Sequence, residues 1–396
     1  MNDALRFWGI TGTNGKTTST WIAASFMRAA YITTVEAWTG LRRFYTGYTT
    51  PPLAMLRGIY DEMRASGMHD CVMEVSSHAI HQNRVDFGET TVFSGGAFTN
   101  LSEDHLDYHQ TMAEYFQVKL SFAARLAGTA REKGFAPCPY VVCLDGEGGR
   151  EMYEACGKIE GLDLIPVSID PACPEVVRYR AKGARCAARP YDLSGLRLAG
   201  EYNKSNVLVA AALAEAAGVG HETIQQAIPT LRPRWGRLEE VDTACPARVF
   251  IDFAHTPDGL EKVLTAARAF TPGRLWVVFG AGGNRDTAKR PRMGEVCERL
   301  ADAVLVTSDN PRGEEPVDII RDILAGMKSP SRARVEPDRK KAICLALDGA
   351  QEGDTVLICG KGHEKTQEVK DFKYPFDDSE VARQYVRGAG QERAQT

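Results

Sequence analysis

The chain has no run of about 18 consecutive apolar residues and no basic segment leading into an apolar one, so the sequence offers neither a membrane span nor a secretory leader. Its net charge is only −4 over 396 residues, which implies no general attraction to nucleic acid or to a membrane surface. None of its ten cysteines forms a Cys-x-x-Cys pair. That spacing argues against a zinc site and reads as reduced thiols of a cytoplasmic protein. Internal repeats and low-complexity segments are missing as well, which excludes solenoids and long polar tails. What is left is an ordinary globular composition, 43% hydrophobic and 25% charged, at a length that suits two or three domains.

Within that frame the beginning of the chain is the most informative stretch. A short apolar run from Leu5 to Ile10 leads into Gly12-Thr13-Asn14-Gly15-Lys16-Thr17-Thr18, and residues 19–30 read as a helix. Strand, Gly-rich turn and helix N-terminus make a phosphate cradle: backbone N–H groups and the positive helix end face the anion, and a lysine adds a point charge. The Thr17 hydroxyl stands where P-loops hold Mg²⁺. The usual pattern has a further glycine five residues before Gly15, where this chain has Ile10, so the motif is a shorter variant. A plain Gly-rich turn explains the glycines but not the Lys-Thr-Thr that follows a strand.

Apolar β-rich runs then alternate with helical patterns. Residues 72–75, 91–97, 140–144 and 164–169 read as strands, and 52–66 and 111–126 as helices. This alternation predicts a parallel sheet covered on both faces. The segment 172–197 has no clear period and reads as an edge hairpin region, whereas 207–217 is strongly helical. Two prolines, three arginines and a glycine in 229–237 read as a linker. A second α/β block follows, with strands expected at 249–253, 275–279, 303–307 and 355–359. The fold class is therefore α/β: a P-loop ATPase domain with a parallel sheet over residues 1–238, and a Rossmann-like α/β domain over 239–396. The small, polar end at 388–396 is expected to fray.

Two further clusters carry chemistry. In Met73-Glu74-Val75-Ser76-Ser77-His78, Glu74 ends an apolar strand, where a parallel sheet binds ligands and where a carboxylate can hold Mg²⁺ on nucleotide phosphates. The structural alternative is that Glu74 caps the next helix. In the stretch from Phe98 to His109, His105 and His109 lie close to Glu103, Asp104 and Asp107, a grouping that suits a metal or phosphate site; His105 is the better ligand candidate. Asp104 and Asp107 also fit as helix-entry caps. Lys119, on a predicted helix, reads by itself as a solvated lysine.

Taken together, these motifs resemble the Mur ligase family, and within it the UDP-N-acetylmuramoyl-tripeptide synthetases that add the third residue of the peptidoglycan stem peptide. The resemblance continues through Asn203-Lys204-Ser205-Asn206, Asp252-Phe253-Ala254-His255, Gly282-Gly283-Asn284-Arg285-Asp286, Lys289-Arg290-Pro291, Asp309-Asn310-Pro311-Arg312 and Gly360-Lys361-Gly362-His363-Glu364. It covers nearly the whole chain in order and spacing, and the set is specific where any one motif is weak.

The resemblance implies an ATP- and Mg²⁺-dependent ligase that phosphorylates a substrate carboxylate and lets an amine displace the phosphate. It implies that residues 12–18 bind the phosphates, with Gly12, Thr13, Asn14, Gly15 and Thr18 forming the loop, Lys16 meeting the β/γ-phosphates and Thr17 one Mg²⁺. It further implies that Glu74 and His105 hold a second Mg²⁺ and that Lys119 is carbamylated, turning a cation into an anion. Asn100, Asn203, Asn206, Arg237, Asp252 and His255 would complete the nucleotide side. Thr49, Thr50, Ser76, Gln82 and Arg84 would meet the acceptor. Arg285, Asp309, Asn310, Arg312, Gly360 and Glu364 would meet the incoming amino acid. Arg312 in the Asp-Asn-Pro-Arg sequence resembles the signature of enzymes that add meso-diaminopimelate, and a planar guanidinium suits that substrate's second carboxylate. The same four residues are also good turn chemistry.

Only eleven residues precede Gly12, whereas family members carry an additional N-terminal domain that grips uridine diphosphate. The resemblance thus leaves the acceptor open between a UDP-muramoyl-dipeptide and a smaller, UDP-free carboxylate such as a peptide or muropeptide, with a non-catalytic binding subunit as a third reading. A folate polyglutamate ligase shares the architecture, but Asp309 to Arg312 argue against it. The expected partners are small molecules; the oligomeric state is open between a monomer and a larger assembly.

Overall fold

A computed structural model describes residues 5–85, 92–176, 191–370 and 372–386, without the side chain of Asp107. The expected edge hairpin region at 172–197 is described only at its ends, and the end at 388–396 lies outside the described residues. The chain divides into two compact units, Met1–Leu231 and Arg232–Thr396.

In the first unit the strands are β1 (Arg6–Thr11), β2 (Ala30–Ile32), β3 (Ala37–Trp38), β4 (Arg43–Phe44), β5 (Asp70–Glu74), β6 (Phe93–Phe98), β7 (Cys138–Cys143) and β8 (Leu162–Val167). They form one sheet in the order β4-β3-β2-β5-β1-β6-β7-β8. From β2 to β8 all neighbours pair parallel, and β3 and β4 extend the edge antiparallel. The parallel strands are near-continuous apolar runs because helices cover both faces. Phe7, Tyr60, Phe93 and Phe122 are fully or almost fully buried, the Phe7 and Tyr60 rings lying 4.3 Å apart. Strand β6, expected at 91–97, contains Ser94-Gly95-Gly96, and glycine stands there because space is short: a Cβ at Gly95 would come within 2.6 Å of the Trp8 ring on β1.

The helix expected from Ser19 starts earlier, at Lys16, and ends at Met27. Its first turn is the end of the Gly-rich loop itself, and Arg28 closes it in a left-handed conformation (φ 52°). The strand order turns around β1, with β5 on one side and β6 on the other, so the loops after these three strands share one crevice at the carboxyl edge.

The second unit has β9 (Glu239–Glu240), β10 (Arg248–Asp252), β11 (Leu275–Phe279), β12 (Ala303–Val306), β13 (Arg334–Val335) and β14 (Thr355–Cys359) in the order β13-β12-β11-β14-β10-β9. Only β9 runs antiparallel. A separate hairpin joins β15 (Thr366–Val369) to β16 (Phe372–Pro375). The loops after β10, β11, β12 and β14 leave the same edge of the sheet, and they carry the motifs at 252–255, 282–286, 309–312 and 360–364. Among the described residues no helix is long and apolar enough to cross a membrane.

Candidate active site

The Gly-rich loop joins β1 to the helix Lys16–Met27. Gly12 (φ 147°) and Gly15 (φ 85°) take backbone conformations that favour glycine, and both are crowded. A Cβ at Gly12 would lie 1.9 Å from Thr99 Oγ1, and one at Gly15 would lie 2.3 Å from Asn206 Oδ1. The helix begins with no side-chain cap and no acidic residue in its first turn, which leaves its positive end open to an anion. The loop is held from behind by the segment after β6. Asn14 N donates to Asn100 Oδ1 at 2.9 Å, and Thr99 Oγ1 and Asn100 Nδ2 both donate to Asn14 O. Thr13 Oγ1 accepts from Ser102 N and lies 3.2 Å from the hydroxyl of Tyr115.

Two lysines converge on this loop. Lys16 Nζ donates to the carbonyls of Gly12 (3.0 Å) and Thr13 (2.8 Å), and Lys119 Nζ donates to the same Gly12 carbonyl at 2.8 Å. Lys119 is not a solvated lysine: it is 1% exposed and its Nζ sits 4.5 Å from the centre of the Tyr115 ring. Burial, reinforced by the Lys16 charge, holds its pKa well below the ordinary lysine value, with Asp104 opposing. His105 is nearby. Burial pushes its pKa down to about 3, Asp104 opposes the shift, and Lys16, His78 and Lys119 add to it. Its imidazole is therefore neutral at ordinary pH and keeps a lone pair for a ligand. Asp104 Oδ1 accepts from His105 N, so it fixes the turn into the short helix Leu106–His109.

Glu74 lies one strand over, in register with Ile10 of β1, and is 1% exposed. Its carboxylate accepts from Thr34 N (2.9 Å) and Thr34 Oγ1 (3.2 Å). The helix Ser77–His81 is capped by Ser76, whose Oγ accepts from Ala79 N, so Glu74 does not cap it. The expected acceptor residues form one chain of contacts. Thr34 Oγ1 reaches Thr49, and Thr50 Oγ1 donates to Glu74 O while accepting from Ser76 N. Arg84 donates to Thr50 O and to Gln82 Oε1. On the other flank Asn206 Nδ2 donates to Asn203 Oδ1, and Ser19 Oγ to Asn206 Oδ1.

Thr17, Glu74 and neutral His105 are single oxygen or nitrogen donors. Among the described residues no group of three or more His, Cys, Asp and Glu comes together to hold a metal. That donor set fits Mg²⁺, which takes most of its ligands from phosphate and water. The Lys119 amine donates to the Gly12 carbonyl and adds no oxygen ligand to that set.

In the second unit Asp252 ends β10 and accepts from Leu238 N and Ala254 N. Burial raises its pKa and Arg237 opposes. The Arg237 guanidinium lies 4.6 Å from the Phe253 ring centre, and the rings of His255 and His363 lie 4.7 and 5.1 Å from Phe253. The residues expected at the amino-acid site form a second network. Asn310 Nδ2 donates to Glu364 Oε2 at 2.8 Å, and Asn310 Oδ1 accepts from Lys361 Nζ (2.9 Å) and Glu368 N (2.9 Å). Arg312, in a left-handed conformation (φ 51°), pairs with Glu368 at 3.1 Å and donates to Gly283 O. Asp309 Oδ1 accepts from Asn310 N. A Cβ at Gly360 would lie 2.5 Å from Asp309 Oδ2, and one at Gly282 would approach both Arg312 and Arg285.

Comparison with known proteins identifies the family. Residues 10–214 match the Mur ligase middle domain and residues 236–362 match the Mur ligase, glutamate ligase domain. The chain belongs to the Mur ligase family. It is 37% identical to the UDP-N-acetylmuramoyl-L-alanyl-D-glutamate–2,6-diaminopimelate ligase of Aquifex aeolicus, over 98% of this chain and 79% of that protein. The ligase of the same name from Synechococcus elongatus is 40% identical over 96% of this chain and 76% of its own length. A solved structure of a UDP-N-acetylmuramoyl-L-alanyl-D-glutamate–2,6-diaminopimelate ligase matches with a TM-score of 0.59 at 28% identity, covering 99% of this chain and 79% of that one.

Three residues beside the candidate site were given no role by the sequence reading: Tyr115, and Arg290 and Lys361, which lie within quoted motifs. Tyr115 contacts both Thr13 and Lys119; its spacing of four from Lys119 on the helix Met112–Glu132 puts the two on one face, a signal open to sequence reading. Arg290, 1% exposed, donates to Gly282 O and pairs with Glu314 and Asp322. Lys361 is fully buried between Asn310 and Glu364. No spacing rule separates these two cations from surface charges.

Proposed function

We propose that this chain is an ATP-dependent ligase that joins meso-diaminopimelate to the D-glutamyl carboxylate of a muramoyl-dipeptide acceptor. The observation that carries the reading is the network in which Asn310 bonds Glu364 directly and is linked to Arg312 through Glu368. The distal end of diaminopimelate is a zwitterion. A guanidinium offers a planar fork to its carboxylate, and Glu364 offers an acceptor to its ammonium. Lysine lacks the carboxylate and so leaves the Arg312 guanidinium with Glu368 and the Gly283 carbonyl alone, forgoing the contact that diaminopimelate adds.

The first half-reaction belongs to the first unit. The loop amides and Lys16 hold the ATP phosphates, Lys16 leaving the Gly12 and Thr13 carbonyls for the incoming anion. The chain of Thr49, Thr50, Ser76, Gln82 and Arg84 orients the acceptor. A carboxylate oxygen bonds to the γ-phosphorus, the bond to the β,γ-bridging oxygen breaks, and ADP leaves. The amine of diaminopimelate then attacks the acyl phosphate, the carbon–oxygen bond to phosphate breaks, and the amine gives up a proton as the amide forms. Such transfer is mainly positioning and charge neutralisation. Bound Mg²⁺ would neutralise phosphate charge, with Thr17 holding one ion and Glu74 and His105 a second. Lys119 is proposed to be carbamylated: its lowered pKa supplies the neutral amine that CO₂ requires. Asn203, Asn206, Arg237, Asp252 and His255 are assigned to the nucleotide. Because the reaction consumes ATP and free amino acid, a cytoplasmic site is part of the proposal.

The test is phosphate release with ATP, Mg²⁺ and meso-diaminopimelate, with UDP-muramoyl-dipeptide or a UDP-free muramoyl-dipeptide as acceptor and mass spectrometry of the product. Acceptor-dependent release and a product heavier by one diaminopimelate residue are expected, and Lys16→Ala should abolish both. Turnover that persists in Lys16→Ala, or no turnover with either acceptor, refutes the reading.

A further inference from the structure

Lys361 has no part in the reaction above, yet it is the least exposed cation of the amino-acid site. Its side chain is 0% exposed, while that of its partner Glu364 is 33% exposed. Nζ lies 2.9 Å from Asn310 Oδ1 and 3.0 Å from Glu364 Oε2. Asn310 Nδ2 donates to that same Glu364 oxygen at 2.8 Å. The three groups form a closed triangle in which one carboxylate oxygen is taken twice and the other is left for a ligand.

The triangle also fixes the Asn310 amide. An asparagine side chain presents a donor on one side and an acceptor on the other, and only its partners decide which faces where. Here Oδ1 faces two donors, Lys361 Nζ and Glu368 N, and Nδ2 faces a carboxylate. Without the ammonium, Oδ1 keeps one donor and Glu364 loses its only cationic partner among the described contacts. Glu368 in turn pairs with Arg312, so the Asn310 orientation reaches the guanidinium as well.

We propose that Lys361 is a positioning residue for the amino-acid substrate: it holds Asn310 in one amide orientation and aims the remaining oxygen of Glu364 at the substrate's distal ammonium. This inference rests on the diaminopimelate reading above. Lys361 need not touch the substrate; it acts through Glu364.

The test is a steady-state comparison of Lys361→Met, Glu364→Gln and the double variant in the full chain. In the wild-type background Lys361→Met should raise KM for diaminopimelate about tenfold or more while leaving KM for ATP within about twofold, since charge-assisted hydrogen bonds are the strong ones. In the Glu364→Gln background the same substitution should raise it less than about threefold, because the group through which it acts is already altered. Lys361→Gln, which keeps a donor without the charge, should fall between wild type and Lys361→Met; it carries the same comparison if the methionine variant does not fold. Equal factors in both backgrounds, or KM values for ATP and diaminopimelate rising together, overturn the positioning role. A wild-type protein that turns over with an acceptor and another amino acid, but not with diaminopimelate, overturns the underlying reading instead and takes this inference with it.

Discussion

The buried pair Arg339–Asp378 gives the sharpest stability prediction. Both side chains are 0% exposed, and the guanidinium reaches the carboxylate with two donors, Nε to Oδ1 at 2.8 Å and Nη2 to Oδ2 at 2.7 Å. Its remaining contacts go to backbone carbonyls, Nη1 to Ser308 O at 3.2 Å and Nη2 to Cys359 O at 2.8 Å. Arg339→Met removes the cation and keeps much of the volume, so Asp378 becomes a buried charge without a counter-ion. Removing one partner of such a pair costs about 3–5 kcal/mol, and for a unit of this size that is a fall in melting temperature of roughly 6–20 °C. Replacing both partners, in Arg339→Met with Asp378→Leu, removes the stranded charge and should recover more than half of that loss. The assay is thermal unfolding of the full chain followed by circular dichroism and calorimetry. A shift below about 3 °C for the single variant, or a double variant as costly as the sum of the singles, refutes the argument. The two carbonyls directly precede Asp309 and Gly360, so KM for the amino acid should rise at temperatures where Arg339→Met is still folded.

Three further outcomes follow from the same geometry. Arg312→Ala should lower kcat/KM for diaminopimelate by roughly 10–100-fold, the worth of a charge-assisted pair, with KM for ATP within about twofold; equal losses on both substrates would make the residue a purely structural tie to Gly283 and Glu368. Lys119→Ala should lose most activity and regain part of it when short-chain carboxylic acids are supplied, and no recovery at any concentration would count against the carbamate. His363 is held at a pKa of about 3, chiefly by burial and then by Arg237 and Lys365. Between that value and the unfolded value of about 6.5 the unfolded chain binds more protons, so stability rises with pH and is lost as pH falls through this window. The melting temperature of wild type should therefore fall further between about pH 7 and pH 4 than that of His363→Phe, and parallel falls would refute the assignment.

What the sequence made legible followed from strong local signals. Strands β11 and β14 are apolar runs that each end at a glycine, and they lie where their β-branched residues put them, at Leu275–Phe279 and Thr355–Cys359. The short strands β2, β3, β4 and β9 carry no such period; they are two or three residues long and exist because a longer neighbour supplies the ladder. The site was legible where a loop needs glycine or a charge at a fixed offset, as at Gly12, Gly15 and Lys16. The burial of Arg290, Arg339 and Lys361 was not legible. Each depends on a group far away in sequence: Asp378, 39 residues from Arg339; Glu314 and Asp322 for Arg290; and the Asn310 amide, 51 residues from Lys361. A linear pattern cannot distinguish such a residue from a solvated one.

The Gly12 carbonyl ties these threads together. Two ammonium groups on one carbonyl, at 3.0 and 2.8 Å, repel each other, and the arrangement is relieved when one of them is neutral. The downward pKa shift falls on Lys119, from burial and then from the Lys16 charge: Lys119 is buried, while Lys16 is only partly so and has a second carbonyl at Thr13. On the proposed reading, a neutral Lys119 amine beside a cationic Lys16 is also the pair that favours carbamate formation, because the new anion would lie next to an existing cation. The position would then carry a negative charge, a partner for Lys16 and a support for Mg²⁺. Lys16→Met should for that reason lower the carbamylated fraction of Lys119. Carbon-13 NMR in labelled bicarbonate reads that fraction without any turnover. An unchanged carbamate signal in a folded Lys16→Met protein would show that the two lysines are not electrostatically coupled.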